Sequence, residues 1–271
     1  MRTFAQNLMK LAPDWVTLPP ELVEVLNWLD IVQGNQIIRG DAPRNCSLSI
    51  MTLGYWGHPT RSYFHFGKAT PASDGIWSDT SIGFGDRLFE IAETSSDGGR
   101  IAIWLDEEGK QQYVHIGHKT LGVITDDPVV FLQFIAMGYP EPGSLMRTDI
   151  TPVAAYLEHR GLVRLEDFRP DEQPVYPVAL QGFLKERFDL DMPATARDLG
   201  ITDFPEYGDD STNDPFARWI NEATPETSEA DLVYEMELMR TIEALNLQDD
   251  DSSDTIMGKI GSLFKSKDNR E

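Results

Sequence analysis

Cysteine is nearly absent from this chain: Cys46 is the only one in 271 residues. An intrachain disulfide is therefore excluded, and such usage fits a reducing compartment. Cys46 itself reads as a small buried hydrophobe. Histidine is scarce too, with five residues. His115 and His118 stand close together in the stretch VHIGH, but in an extended segment that odd spacing puts them on opposite faces, where they share no metal. His58 and His65 lie in an aromatic stretch with no carboxylate at a telling spacing. No apolar run approaches the ~20 residues of a membrane span. The opening MRTFAQNLMKLAPDWVTLPP lacks the apolar core and small-residue cleavage site of a secretion signal, so the expected location is cytoplasmic.

The motifs of common chemistries are missing as well. There is no G-x-S-x-G, no phosphate-binding P-loop and no H-E-x-x-H. After Gly83-Phe84-Gly85, Leu88 stands where a dinucleotide fingerprint needs its third glycine. An EF-hand reading from Asp209 finds Ser211 and Asn213 in suitable places. It then meets Asp214 where the loop needs glycine and Ile220 where it needs glutamate. From Asp249 the same positions hold Asp254 and Ile260. These absences lead to the expectation of a protein that is not an enzyme and uses no cofactor or metal. Basic residues are in short supply: 23 Lys and Arg against 45 Asp and Glu give a formal net charge of −22. That field opposes phosphate backbones and anionic membrane surfaces and steers a basic partner in. Neither nucleic-acid binding nor stable membrane association is expected.

What the chain does contain is a strand pattern. Segments 88–91, 101–105, 113–116 and 121–125 are short and rich in β-branched, aromatic and aliphatic residues. Between the first two lies Ser95-Ser96-Asp97-Gly98-Gly99, and between the next two Asp106-Glu107-Glu108-Gly109, each supplying turn chemistry. Ile101, Ile103 and Leu105 alternate with Ala102 and Trp104, so both faces of that strand are apolar. It is expected to be central, with one face under a helix. The cover follows: Asp126 or Asp127 as cap, Pro128 in the first turn, a stripe of Val129, Leu132, Ile135 and Ala136 widened by Phe131 and Phe134, and Gly138 as the stop.

Around this unit, 15–34 reads as a helix entered through Pro19-Pro20 and ended by Gly34, with Leu22, Val23, Leu26 and Leu29 on its apolar side. The stretch 35–85 is turn-rich and aromatic. Beyond Pro140, Pro142 and Gly143 the pattern becomes helical at 152–161, 179–188, 215–223 and 228–247, the last opened by a Ser228/Asp231 capping arrangement. The expected fold class is α+β: an antiparallel meander sheet with helices packed on it, plus a mostly helical C-terminal extension. Composition divides the chain into an α+β domain at 1–145, an acidic helical extension at 146–247, and an acidic linker with a short amphipathic tail at 248–271.

With those residues in view, the chain resembles the SUKH superfamily. That group includes fungal cell-wall-synthesis regulators, the bacterial Syd protein and many immunity proteins against polymorphic toxins. The matching features are Leu18-Pro19 before a helix ending near Gly34, a glycine turn leading to Gly85-Asp86, and the D-P-V-x-F-L-x-x-I-A-x-G-Y helix at 127–139. A second match is D-P-F-x-x-W, here Asp214-Pro215-Phe216-Ala217-Arg218-Trp219. The longer 35–80 stretch and the charged tail from 228 onward depart from the pattern. The resemblance implies an α+β domain that blocks a partner by binding it, with no shared catalytic residue to carry over. It points to an immunity protein that neutralises a cognate, basic toxin. The alternative is a regulatory adaptor holding a cellular partner. Aromatic and acidic residues near the sheet and its loops are the candidate contacts: Trp77, Asp79, Asp86, Trp104, Asp106, Glu107 and Glu108.

Overall fold

A computed structural model describes residues 3–33, 47–51, 58, 60–67, 86–95, 99–117, 119–141 and 147–223. All described residues belong to one compact unit, Met1–Thr224.

The fold is α+β. Strands β1 (Ser47–Ser49), β2 (His65–Gly67), β3 (Leu88–Glu93), β4 (Arg100–Leu105), β5 (Gln111–Ile116) and β6 (Leu121–Thr125) form one antiparallel sheet in chain order. The last four are the meander expected from the sequence. Its β4–β5 turn is built by Asp106, whose Oδ1 accepts the backbone N–H groups of Glu108 at 3.0 Å and Lys110 at 2.8 Å. Gly109 supplies the left-handed residue at φ +80°, a conformation that glycine adopts without steric cost.

Helix α1 (Phe4–Leu11) was not read from the sequence. Its signal is the Thr3/Gln6 capping box, in which each side chain accepts the other's backbone N–H. Helix α2 occupies Pro20–Val32, entered through Pro19-Pro20 as expected with Pro19 as its cap; residues 15–19 of the expected span are not helical, and Gly34 lies outside the described residues. Leu22, Val25, Leu26 and Leu29 are its buried apolar residues, while Val23 is only half-buried. Helix α3 is Pro128–Met137; Asp127 caps it by accepting the Val129 N–H at 2.7 Å. Gly138 ends it at φ +78° beside the Pro177 ring, which a Cβ there would strike.

Helices α2, α3 and α5 (Val178–Phe188) share the main core with Phe89, Ile91, Ile101, Ile103 and Tyr113 of the sheet. Tyr113 lies flat on Phe131, ring centroids 4.1 Å apart and planes at 2°. The other sheet face is not left open. Helix α6 (Pro215–Ala223) lays Phe216, Ala217 and Ile220 over Leu88, Ala102, Trp104, Val114 and Leu121. β4 is therefore covered on both sides, which accounts for its unbroken apolar run.

The segment after 145 is mostly helical where described, with α4 (Pro152–Arg160), α5 and α6. The composition change near 145 marks no gap in packing. Fully buried Tyr139 donates its hydroxyl to the Ile150 carbonyl at 2.8 Å and accepts the Ala196 N–H at 3.0 Å. The helix expected at 228–247 and the amphipathic tail lie outside the described residues.

Among the described residues, backbone groups at each sheet edge are taken up by other parts of the chain. At β1 the Gln33 side chain accepts the Ser49 N–H and donates to the Ser49 carbonyl. At β6 the Leu121 N–H reaches the Pro205 carbonyl at 3.1 Å, and the Val123 N–H is taken by a side chain. An unpaired edge would otherwise template association with another chain.

Candidate functional site

That side chain is Asp214, and it decides where α6 lies. Its Oδ2 accepts the Val123 N–H at 2.8 Å, while its Oδ1 accepts the Ala217 N–H at 2.9 Å as helix cap. One carboxylate thus closes a sheet edge and starts a helix. Gly122 makes room for it: a Cβ there would come within 3.1 Å of both Asp214 Oδ2 and Phe204 Cδ1. Burial raises the Asp214 pKa above its ordinary value; the backbone N–H bonds and Arg218 pull the other way without cancelling it.

Helical spacing then divides α6. Phe216, Ala217 and Ile220 face the sheet, whereas Pro215, Arg218, Trp219 and Glu222 border a cavity of about 440 Å³. The cavity is completed by Trp104, Asp106, Glu107, Glu108 and Gln112 from β4, its turn and β5. Trp104 is 1% exposed, with its ring 5.3 Å from Phe216 and 5.5 Å from Trp219. The Arg87 guanidinium lies 5.6 Å from the Trp104 ring and 5.2 Å from the Trp219 ring, and its Nε donates to the Leu105 carbonyl. The Trp104 Nε1 is buried and has no hydrogen-bond partner among the described residues.

The acidic residues around the cavity differ in freedom. Burial pushes the Asp106 carboxyl up, but the N–H groups of Lys110 and Glu108, the Gln112 amide and the Lys110 charge outweigh it and leave the pKa below its ordinary value. Gln112 Nε2 donates to Asp106 Oδ2 at 2.6 Å. Asp106 therefore shapes the turn. Glu107, Glu108 and Glu222 are exposed and form no ion pair among the described residues.

Of the residues singled out in the sequence, Trp104, Asp106, Glu107 and Glu108 come together at this cavity. Asp86 is exposed, directly before Arg87, and does not border it. Trp77 and Asp79 lie outside the described residues. Trp104 sits in the core between α6 and the sheet, so it backs the cavity wall instead of forming an exposed contact. Sequence reasoning missed the α6 half of the site. The signal was present in D-P-F-x-x-W, whose i, i+3 spacing makes Phe216 and Trp219 neighbours on one helix, ring centroids 5.8 Å apart, the first buried against the sheet and the second at the cavity.

A second cavity of about 230 Å³ lies between Thr60, Arg61, Tyr63, Pro140, Glu141, Tyr156 and His159. Among the described residues, no group of His, Cys, Asp and Glu could hold a metal ion, and no helix is long and apolar enough to cross a membrane. No family model, no curated protein and no solved structure matches this chain.

Proposed function

We propose that this chain is a cytoplasmic immunity protein that neutralises a cognate, basic toxin by binding it, without chemistry of its own. The observation that carries the reading is the acidic, tryptophan-lined cavity between the β4–β5 turn and α6. Trp219 offers the kind of aromatic anchor that concentrates binding energy at interfaces. Glu107, Glu108 and Glu222 carry negative charge at its rim. A net charge of −22 adds a long-range field of the same sign, which speeds encounter with a basic surface. Two further supports come from the residues of the SUKH resemblance. The 127–139 motif forms the helix under the sheet, and the 214–219 motif builds one wall of the cavity.

The deciding experiment is co-expression with the product of the adjacent gene, scored for growth and for co-purification. A neighbour that kills cells alone, and is both tolerated and bound when this chain is present, supports the reading. A harmless neighbour that forms no complex overturns it. Association with the toxin should also slow steeply with added salt, since exposed charges are screened beyond ~8 Å at physiological ionic strength. Salt-independent association removes the electrostatic argument.

A further inference from the structure

We propose that the cavity between the β4–β5 turn and α6 receives an arginine side chain carried on a loop of the partner protein. The inference rests on the binding role above for the identity of the partner, while the pocket chemistry stands on the structure.

Several other carboxylates on this molecule each have a basic partner. Lys185 pairs with Asp189 and Asp191, Arg197 with Asp203, and Arg147 with Asp149 and Glu158. Glu107, Glu108 and Glu222 have no such partner among the described residues, and Arg218 is the one basic residue bordering the cavity there. A positively charged group entering from outside would restore the pairing.

The aromatic wall favours a planar cation. Arg87 already lies over the Trp104 and Trp219 rings at 5.6 and 5.2 Å, so this tryptophan pair tolerates a guanidinium against it. Guanidinium stacks on aromatic faces and is weakly hydrated, whereas the lysine ammonium is a compact, strongly hydrated point charge. A buried donor adds a separate indication. Trp104 is 1% exposed, borders the cavity and has no acceptor for its Nε1 among the described residues. A buried donor without an acceptor is costly, and a peptide whose seating shifts the Trp104 ring enough to bring a backbone carbonyl to Nε1 relieves that cost. Cation for the rim, plane for the wall and carbonyl for the indole are together an arginine residue within a peptide. The volume of about 440 Å³ falls within the usual ~300–1,000 Å³ of ligand sites.

The test is a titration of the full ¹⁵N-labelled chain with acetyl-Gly-Arg-Gly-amide. The citrulline analogue, an uncharged isostere, and the lysine analogue serve as controls. The readouts are the Trp104 and Trp219 indole N–H signals, assigned through single Trp→Phe variants. The expected result is saturable movement of both signals with the arginine peptide, little with lysine and none with citrulline. The Glu108→Gln/Glu222→Gln variant, its fold checked in the same spectra, should bind roughly tenfold more weakly, the size expected for two partly exposed charge pairs. Equal response to citrulline, no saturable response, or undiminished binding by the double variant overturns the proposal. The two readings can also fail separately. A toxin bound equally well by native and double-variant protein removes the arginine pocket and leaves immunity standing. Specific peptide binding with a harmless genomic neighbour keeps the pocket and removes immunity.

Discussion

Replacing Asp214 by alanine tests whether one carboxylate both caps α6 and closes the sheet edge. Two backbone donors lose their acceptor: the Ala217 N–H at the helix start and the Val123 N–H on β6. Losing a cap of this kind costs about 0.5–2 kcal/mol, and leaving a covered N–H unpaired costs about 1–3 kcal/mol. Removing a desolvated charge offsets part of that, for a net destabilisation of about 2–3 kcal/mol at neutral pH. In a unit of this size the melting temperature should fall by about 5–10 °C. Denaturant unfolding of native and variant protein measures the difference directly. A loss below about 0.5 kcal/mol, the scatter of an ordinary surface substitution, refutes the double role. Acidification supplies a second check. The folded pKa of Asp214 is raised, so the folded state holds the extra proton and native protein gains on the variant as pH falls through that raised value. The gap should widen, reaching full size below the unfolded pKa of about 3.9, and a gap that narrows contradicts the burial argument. Gly122→Ala approaches the same oxygen from the strand side. It should cost about 1–2 kcal/mol, and the double variant should lose less than the sum because both changes displace one contact.

Other perturbations read other parts of the fold. Phe216→Ala empties the space between α6 and β4 and should destabilise by about 3–5 kcal/mol; a chemical melt within 1 kcal/mol of native protein, roughly, would mean that α6 collapses into the gap. Tyr139→Phe strands the Ile150 carbonyl and the Ala196 N–H and should cost about 1–3 kcal/mol. Burial pushes the Tyr139 phenol up to about 12, so the stability it contributes at neutral pH is lost as pH rises from about 10 towards that value. An ultraviolet titration should lose one tyrosine that ionises near pH 12 in the variant if that assignment holds. His65 has its pKa lowered by burial and by Arg61, against the pull of Glu93. The unfolded chain therefore takes the proton first, and stability should fall as pH drops below about 6.5. His65→Gln should flatten that part of the profile, and an unchanged slope between pH 7 and the folded pKa would assign it to other groups.

The parts of the fold legible in the sequence are those where local chemistry and packing agree. β3 to β6 and α3 carry their own turn, cap and stop residues, so Asp106, Gly109, Asp127 and Gly138 each act where the pattern placed them. The entry of α2 through Pro19-Pro20 was legible because proline suits a first helical turn, whereas Val16 and Leu18 ahead of it are buried without being helical. Their burial comes from tertiary contact, which periodicity does not encode. The cavity was half legible for the same reason. Its turn acids are local, whereas its α6 wall reaches the turn only because Asp214 ties residue 214 to residue 123, a pairing with no trace in sequence spacing. Trp104 was read both as part of an apolar strand face and as a candidate contact, since alternation places it on a face without saying what covers that face.

Fold and site are coupled through that same tie. On α6, Phe216 and Ile220 hold the helix to the sheet, while Trp219 and Glu222, on the same two turns, face the cavity. Any motion of α6 that loosens the first pair therefore moves the second. A groove whose wall is fixed by a cap, an edge hydrogen bond and an aromatic cluster is ordered in the free protein. It then avoids much of the roughly 0.5–1.5 kcal/mol per side chain that ordering at an interface costs. The acidic turn opposite is ordered independently, by Asp106 and Gln112. Two separately braced walls, one from a local turn and one from a long-range tie, hold the exposed glutamates at the border of one cavity.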